Sequence, residues 1–435
     1  MKKLALAFLV LVALTTKAQE IKNDTIIKSL KEKVQGHSKK LDGIDGKLTE
    51  INKDLGELKK FKVSGYIQAD YSINDIWNAE GTQHGIANGA GNFVSNGFSL
   101  RRARAKFIYK ATEGIKFVLQ PDFSFDRVAM NDAYVVLNDR WTNTFALTAG
   151  QFDRPNYEVE YSSGAMEQLE RTRMSTTIYP AQKEQGARLT ANFETKYKLP
   201  LKLTFAVLNG NFGLGTTTNQ IRDIDNKKDI MARAVYSLKF PSTGLNVDFG
   251  ANGYFGKTMI LAGQPTFTIS DVNNQDKLVN IGDALKKQWF GAEMQVYYKS
   301  LGGMALKAEY ISGTNSGTTN PLQAGFGRDA ERNFSGWYTQ LIKNLGKKHQ
   351  ASLRHDVFDA NTRLSGNQVN NAADLKYSTW ALSYIYFFDE NIKINVGYTL
   401  PINEKSANPG LVGTDFVNRD RKDNVFTIRL QATLF

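Results

Sequence analysis

The chain has 435 residues, carries 55 lysines and arginines against 43 acids, and contains no cysteine. Without cysteine, disulfides, thiolate metal sites and a lipidated amino-terminal cysteine are excluded, so the fold must stand without covalent staples. The formal charge of +12 fits nucleic acid, an anionic membrane surface or small anions as partners, and where the charges point decides among these.

Lys2 and Lys3 precede an unbroken apolar run from Leu4 to Leu14, and Thr16 and Ala18 put small residues three and one positions before a cut ahead of Gln19. This pattern predicts a secretory signal peptide over residues 1–18. The run is about half the roughly 20 residues that a spanning helix needs, and no later stretch approaches that length. Loss of Lys2, Lys3 and Lys17 leaves a charge of +9 on about 417 mature residues. Export makes nucleic acid the poorest fit among the partners.

Over residues 19–60, Ile27, Leu30, Val34, His37, Leu41, Ile44, Leu48, Ile51, Leu55 and Leu58 follow at alternating spacings of three and four, the seam of a coiled coil. One helix cannot bury such a stripe alone. The segment is expected to be a short periplasmic coiled coil between copies, with Leu41 and Leu48 beside Ile44 and Ile51 leaning toward three or more strands. The alternative is a helix laid along the chain's own barrel, since Gly36, Gly43, Gly46 and Gly56 each weaken an isolated helix by about 1 kcal/mol. His37 has no second ligand type at helical spacing and reads as a seam residue.

From Phe61 the period changes to two. Phe61, Val63, Gly65, Ile67, Ala69, Tyr71 and Ile73 alternate with Lys62, Ser64, Tyr66, Gln68, Asp70 and Ser72, a long half-polar strand. The device recurs in Ala103 to Tyr109, Ile115 to Phe125, Leu201 to Val207, Leu245 to Ala251, Phe290 to Tyr298, Met304 to Tyr310 and Ile392 to Tyr398, with weaker members between, giving about sixteen strands. They match the roughly 9 to 11 residues needed to cross a bilayer with tilt, whereas soluble strands average about five or six. Aromatics such as Tyr254, Phe255, Trp289, Trp337, Tyr386 and Phe388 fall near strand ends, as interfacial girdles require.

Tight turns near Ala111 to Gly114, Phe240 to Gly244 and Asp389 to Asn391 alternate with long connections such as Asn74 to Gly97, Asp153 to Glu184, Lys257 to Lys286 and Pro401 to Lys422. Unpaired backbone cannot stay in hydrocarbon, so the last strand, Phe426 to Leu434, must pair with the first. Residues 61–435 are therefore expected to form an all-β, sixteen-stranded antiparallel transmembrane β-barrel. An even strand count puts both barrel ends with the tight turns, on the periplasmic side. The terminal Phe435 resembles the assembly signal of outer-membrane proteins. The expected location is the outer membrane of a Gram-negative bacterium, with the bilayer and lipopolysaccharide as surroundings.

The stalk, Phe98-Ser-Leu-Arg-Arg-Ala-Arg104, Asp132-Ala-Tyr-Val135, Gly150-Gln-Phe-Asp-Arg-Pro155, Leu169-Glu-Arg171, Trp337-Tyr338, Arg354-His-Asp-Val-Phe-Asp359 and Arg429-Leu-Gln431 together resemble the phosphate-selective porin O and P family across essentially the whole mature chain. The resemblance implies a homotrimer of barrels, each with its third long loop folded into the pore. It also implies passage of small anions, phosphate or polyphosphate among them. The constriction loop would lie near 153–184, where Arg154, Arg171, Arg173 and Lys183 stand beside Glu158, Glu160, Glu167, Glu170 and Glu184. The family's lysine cluster has no mapped counterpart in this chain.

Turning the apolar phase outward points Arg102, Arg104, Lys106, Lys116, Arg188, Lys202, Arg233, Lys299, Lys307, Arg354, Lys393 and Arg429 into the lumen. Asp122, Asp126, Asp132, Asp248, Glu293, Glu309 and Asp356 share that phase. The basic excess predicts an anion-favouring lumen. Arg102, Arg104 and Lys106, spaced about 7 Å apart on one face, could pass a phosphate from one to the next or be wall charges paired with acids on adjacent strands such as Asp122 and Asp126. The expected function is passive diffusion as a porin. The alternatives are a general diffusion porin with weak anion preference and a structural or receptor barrel.

No enzyme is expected. Arg354, His355 and Asp356 alternate faces and cannot converge, His84 and His349 lack metal-ligand spacing, and no nucleophile sits beside a base. Gly85 to Gly91 lacks the following helix of a phosphate-cradling loop. Neither cofactor nor metal is called for.

Overall fold

The computed structural model describes residues 2–75, 95–124, 127–180, 182–210, 226–260, 266–273, 275–300, 302–317, 330–369, 374–407, 418–420 and 423–434. The chain divides into two units, Met1–Phe61 and Lys62–Phe435.

The first unit is a single helix, α1 (Lys2–Lys60). Every side chain from Asp24 to Lys59 is exposed, the heptad residues included, with Leu41 at 61% and Leu58 at 68%. No helix among the described residues is long and apolar enough to cross a membrane.

In the second unit the wall starts with β1 (Phe61–Asn74), β2 (Asn96–Thr112), β3 (Ile115–Ser124), β4 (Arg127–Asn138), β5 (Phe145–Asp153), β6 (Lys183–Asn192), β7 (Leu201–Leu208), β8 (Asp229–Phe240) and β9 (Leu245–Met259). A small hairpin follows, β10 (Thr266–Ser270) and β11 (Asp276–Asn280). The wall resumes with β12 (Ala284–Tyr298), β13 (Met304–Gly317), β14 (Ala330–Asn344), β15 (His349–Asp359), β16 (Lys376–Phe387), β17 (Ile392–Asn403) and β18 (Val425–Leu434). Because β9 pairs directly with β12, the hairpin stands outside the ring and sixteen strands remain in it. The ring closes through β1 and β18, antiparallel from Gly65↔Leu434 to Asn74↔Val425. Closure leaves no edge, the condition for spanning hydrocarbon.

The two faces of the wall are inverted relative to a soluble protein. Outward residues such as Phe117, Leu119, Phe205, Phe249, Trp337, Leu382 and Leu430 are 37 to 56% exposed, while Gln68, Asp70, Asp132, Glu293, Lys307, Glu309, Arg354 and Asp356 are at most 5% exposed on the inside. Water would reward the opposite arrangement, so the outer face is built for lipid.

Short connections take tight turns, as at Glu113 and Gly114, where Gly114 adopts φ +82, a region that penalises a Cβ. At Pro121, which has no N–H for the ladder, the β3–β4 register shifts between Gln120 and Pro121. Gln151 donates to the carbonyls of Met130 and Asn131 beside that irregularity.

The span from Lys257 to Lys286 is less open than the sequence implies. β9 and β12 run further into it, and between them Ile269 and Val279 of the hairpin pack on Ile260 and Leu285. Phe435, Phe125, Asp126, His84 and the glycine-rich 85–91 stretch lie outside the described residues.

Candidate functional site

Residues 154–180 and 182, between β5 and β6, lie inside the barrel. Their contacts fix this: Glu160 meets Arg188 of β6 and Arg233 of β8, while the Glu167 carboxylate meets Lys307 of β13 and Gln340 of β14. The Gly164 carbonyl accepts from Lys393 of β17 and Gln431 of β18. A segment that touches strands right round the ring has to cross its interior.

Two short helices organise this luminal loop. α2 (Tyr157–Glu160) is capped by the Asn156 side chain, which accepts from the Val159 N–H, and α3 (Arg173–Ile178) by Thr172, which accepts from the Ser175 N–H. Such caps satisfy amides that have no helical partner. Glu158 then staples the two helices, accepting from the Thr172 N–H at 2.8 Å and from the Thr172 hydroxyl at 2.5 Å.

One side of the loop is apolar. Val159, Met174, Ile178 and Tyr179 join Ala206, Leu208, Met231, Tyr254, Trp289, Ile311, Phe334, Tyr338 and Phe358 of the inner wall in one buried cluster. Close approach needs a glycine, because a Cβ on Gly336 would sit 2.8 Å from Met174 Cγ. The loop is thereby fastened to the β7–β15 side.

An opening lies against β1, β2 and β3. A cavity of about 200 Å³ is lined there by Tyr66, Arg104, Lys106, Gln120, Asp153, Ser162, Ser163, Arg171, Gln182 and Lys183. Four of the site residues picked from sequence, Arg104, Lys106, Arg171 and Lys183, thus converge on one opening. A second cavity of about 360 Å³, lined by Tyr161, Glu167, Gln350, Lys393 and Gln431 among others, adjoins the short β16–β17 turn.

The wall bases are paired. Arg104 Nε donates to Asp122 at 2.7 Å and its Nη1 to the Tyr66 hydroxyl at 3.1 Å, and Lys106 reaches Asp132 at 3.2 Å. Arg102 donates to Gln68 at 2.9 Å, and Arg188 to Glu160 at 2.9 Å. Arg233 lies between Glu293 (2.5 Å) and Glu160 (2.7 Å). Arg354 pairs with Asp356 at 3.0 Å, and Arg429 grips both oxygens of Asp70 at 2.8 Å. Lys116 is half-buried and Lys202 exposed, and neither has an ion-pair partner among the described residues.

The loop bases separate into two kinds. Lys183 faces the cavity and bridges Asp132 (2.6 Å) and Asp153 (2.7 Å). Arg171 also borders the cavity, yet its guanidinium braces the loop through the carbonyls of Glu158, Val159 and Tyr161 and the Ser163 hydroxyl. Arg173 lies 3.8 Å over the Tyr377 ring. Arg154 departs from the expectation of a constriction residue: it is fully buried against Glu184 at 3.0 Å and cannot meet a solute.

Sequence reasoning noted the loop's glutamates but not what they do, which is to neutralise the wall. It also missed the buried pairs Lys287–Asp229 (2.5 Å) and Arg332–Asp374 (2.5 Å). Among the described residues there is no group of three or more side chains able to hold a metal.

Glu170 meets three arginines, Arg101, Arg102 and Arg429. Desolvation by its neighbours would raise its carboxyl, but the guanidinium groups of Arg101, Arg102 and Arg429 outweigh that and hold it well below the usual carboxylate range. A depressed value stabilises the folded form fully above the unfolded pKa of about 4.3 and is lost only as pH falls through the depressed value. Glu170 is therefore expected to contribute no step in single-channel conductance between pH 7 and about pH 4. A step in that range that Glu170→Gln abolishes would contradict the Glu170 anchor.

No family model matches the chain, and no curated protein matches it. Solved structures do. The outer membrane channel DcaP of Acinetobacter baumannii aligns with a TM-score of 0.50 at 13% identity, over 86% of this chain and 97% of that one. The chain has the fold of an outer-membrane channel. OprB of Pseudomonas putida, in its high-pH structure, aligns with a TM-score of 0.54 at 10% identity, over 86% of this chain and 94% of that one. At such identities the likeness is one of fold, and selectivity has to be argued from the lumen.

Proposed function

We propose that the chain is an outer-membrane porin that lets small anions, phosphate among them, diffuse passively down their gradients, with a modest preference over cations. The observation that carries this reading is the cavity where Arg104, Lys106, Arg171 and Lys183 meet Asp153 between wall and loop. Fixed cations at a narrow opening lower the entry barrier for anions, and hydroxyls and amides such as Ser162, Ser163 and Gln120 replace part of a solute's hydration. Lys116, without an ion-pair partner among the described residues, extends the positive field along β3.

A general diffusion porin with only slight anion preference is the second reading. It is favoured by the pairing of Arg102, Arg104, Lys106, Arg188, Arg233, Arg354 and Arg429 with acids or amides. Paired charges project weaker fields than free ones. Replacing Arg102, Arg104 and Lys106 together with glutamine separates the two. The anion-to-cation permeability ratio in planar bilayers is expected to fall by about threefold or more, and an unchanged ratio would remove these residues from the account.

The exposed stripe of α1 fits copies of itself, in a periplasmic coiled coil that ties three barrels together after removal of residues 1–18. Both barrel ends would then lie on the periplasmic side, with the long connections facing out among lipopolysaccharide. This is a channel without catalytic chemistry.

A further inference from the structure

Three arginines in the lumen converge on one carboxylate supplied by the chain itself. Arg101 of β2 holds both Glu170 oxygens, Nε to Oε1 at 2.8 Å and Nη2 to Oε2 at 2.7 Å. Arg429 of β18 donates to Oε1 at 2.8 Å, and Arg102 reaches Oε2 at 3.5 Å. Alternation along β2 would turn Arg101 away from the lumen. Its guanidinium nevertheless reaches Glu170, with 40% of the side chain exposed.

Two of the three arginines, Arg429 and Arg102, are also held by groups other than Glu170. Asp70 takes both Nε and Nη2 of Arg429, and the Gln68 carbonyl oxygen takes Nη1 of Arg102. The Arg102 and Arg429 side chains are only 6% and 5% exposed, whereas Glu170 keeps 48% of its surface open. The result is a built oxyanion site whose donors fit a carboxylate or a phosphate equally well. Its occupant is delivered on a loop.

We propose that Glu170 is a tethered counter-ion filling a three-arginine oxyanion site, and that it sets the channel's selectivity by holding down its anion preference. The proposal rests on the anion-porin reading for its meaning but is tested separately from it. With Glu170 in place the cluster formed with Asp70 keeps one net positive charge; without that carboxylate it keeps two, beside the path of passing ions.

Glu170→Gln preserves shape and removes the charge. In full-length protein in planar bilayers under a KCl gradient, its anion-to-cation permeability ratio is expected to rise about threefold. Inorganic phosphate should then block the chloride current at about tenfold lower concentration than in the parent. Arg101→Gln, at a half-exposed position, should move the ratio the other way by about twofold, because Glu170 is then less neutralised. Either variant leaving the ratio at the parent value overturns the proposal. If the parent shows no anion preference while Glu170→Gln gains one, the porin's assigned preference fails and the role of Glu170 stands.

Discussion

Replacing Trp289 by alanine is expected to destabilise the folded barrel by about 3–5 kcal/mol and to set the luminal loop loose. Trp289 has no exposed surface. Its ring stacks on Tyr254 at 4.0 Å with 10° between planes, meets Phe334 edge-on at 6.0 Å, and donates from Nε1 to the Tyr179 hydroxyl at 2.9 Å. Tyr179 follows α3, so this hydrogen bond joins the loop directly to the wall. Alanine would leave a cavity between them and a phenol short of a donor, two costs that add. The checks are the denaturant midpoint of the refolded protein and the current noise of single channels, which should grow as the loop moves. Trp141, 89% exposed on the β4–β5 turn, is the control and should be nearly silent when replaced. An unchanged midpoint and quiet current for Trp289→Ala would mean that the loop is held some other way.

The second large effect concerns the outer face. Leu382 lies midway along β16, 56% exposed, with Leu353 and Tyr398 as its register partners and all three outward. Leu382→Arg should cost about 2–4 kcal/mol of stability in a bilayer, the penalty for a guanidinium on the lipid face near the midplane. Gln120→Arg, on the inward face beside the cavity, should cost far less because its charge meets water. Equilibrium unfolding from lipid vesicles measures both. Equal tolerance of the two substitutions would contradict a lipid-facing outer wall.

The wall was legible because period two is a local property. Leu203, Phe205 and Val207 announce an outward face whatever they later touch, and a correct phase places Thr204 and Ala206 inside without further knowledge. Connection lengths were legible for the same reason, since glycines such as Gly114 mark tight turns. The β10–β11 hairpin escaped because its strands are five residues long and lie within a long connection.

The site was half legible. Alternation assigned Arg104 and Lys106 to the lumen, but it could not show that Asp132 serves both Lys106 and Lys183, or that Asp70 meets Arg429 across the closing seam, 359 residues away in sequence. Such pairs depend on register and on closure. Arg101 broke the alternation rule by reaching Glu170 beside its neighbour Arg102. The loop's apolar anchors, Val159, Met174, Ile178 and Tyr179, follow neither a helical nor a strand period long enough to notice, so the loop's polar residues alone drew attention. Counting inward bases against inward acids of the wall also overstated the positive field, because Glu160, Glu167 and Glu170 reach the wall from the loop.

The proposed reading of this inside-out barrel as a passive, anion-favouring path is tested with the full-length protein in a planar bilayer separating unequal KCl solutions. Discrete conductance steps that are linear in voltage are expected, with a reversal potential on the chloride side of zero that moves toward zero as salt screens the Arg104, Lys106 and Lys183 field. Absence of conductance steps, or a reversal potential on the potassium side, would contradict it.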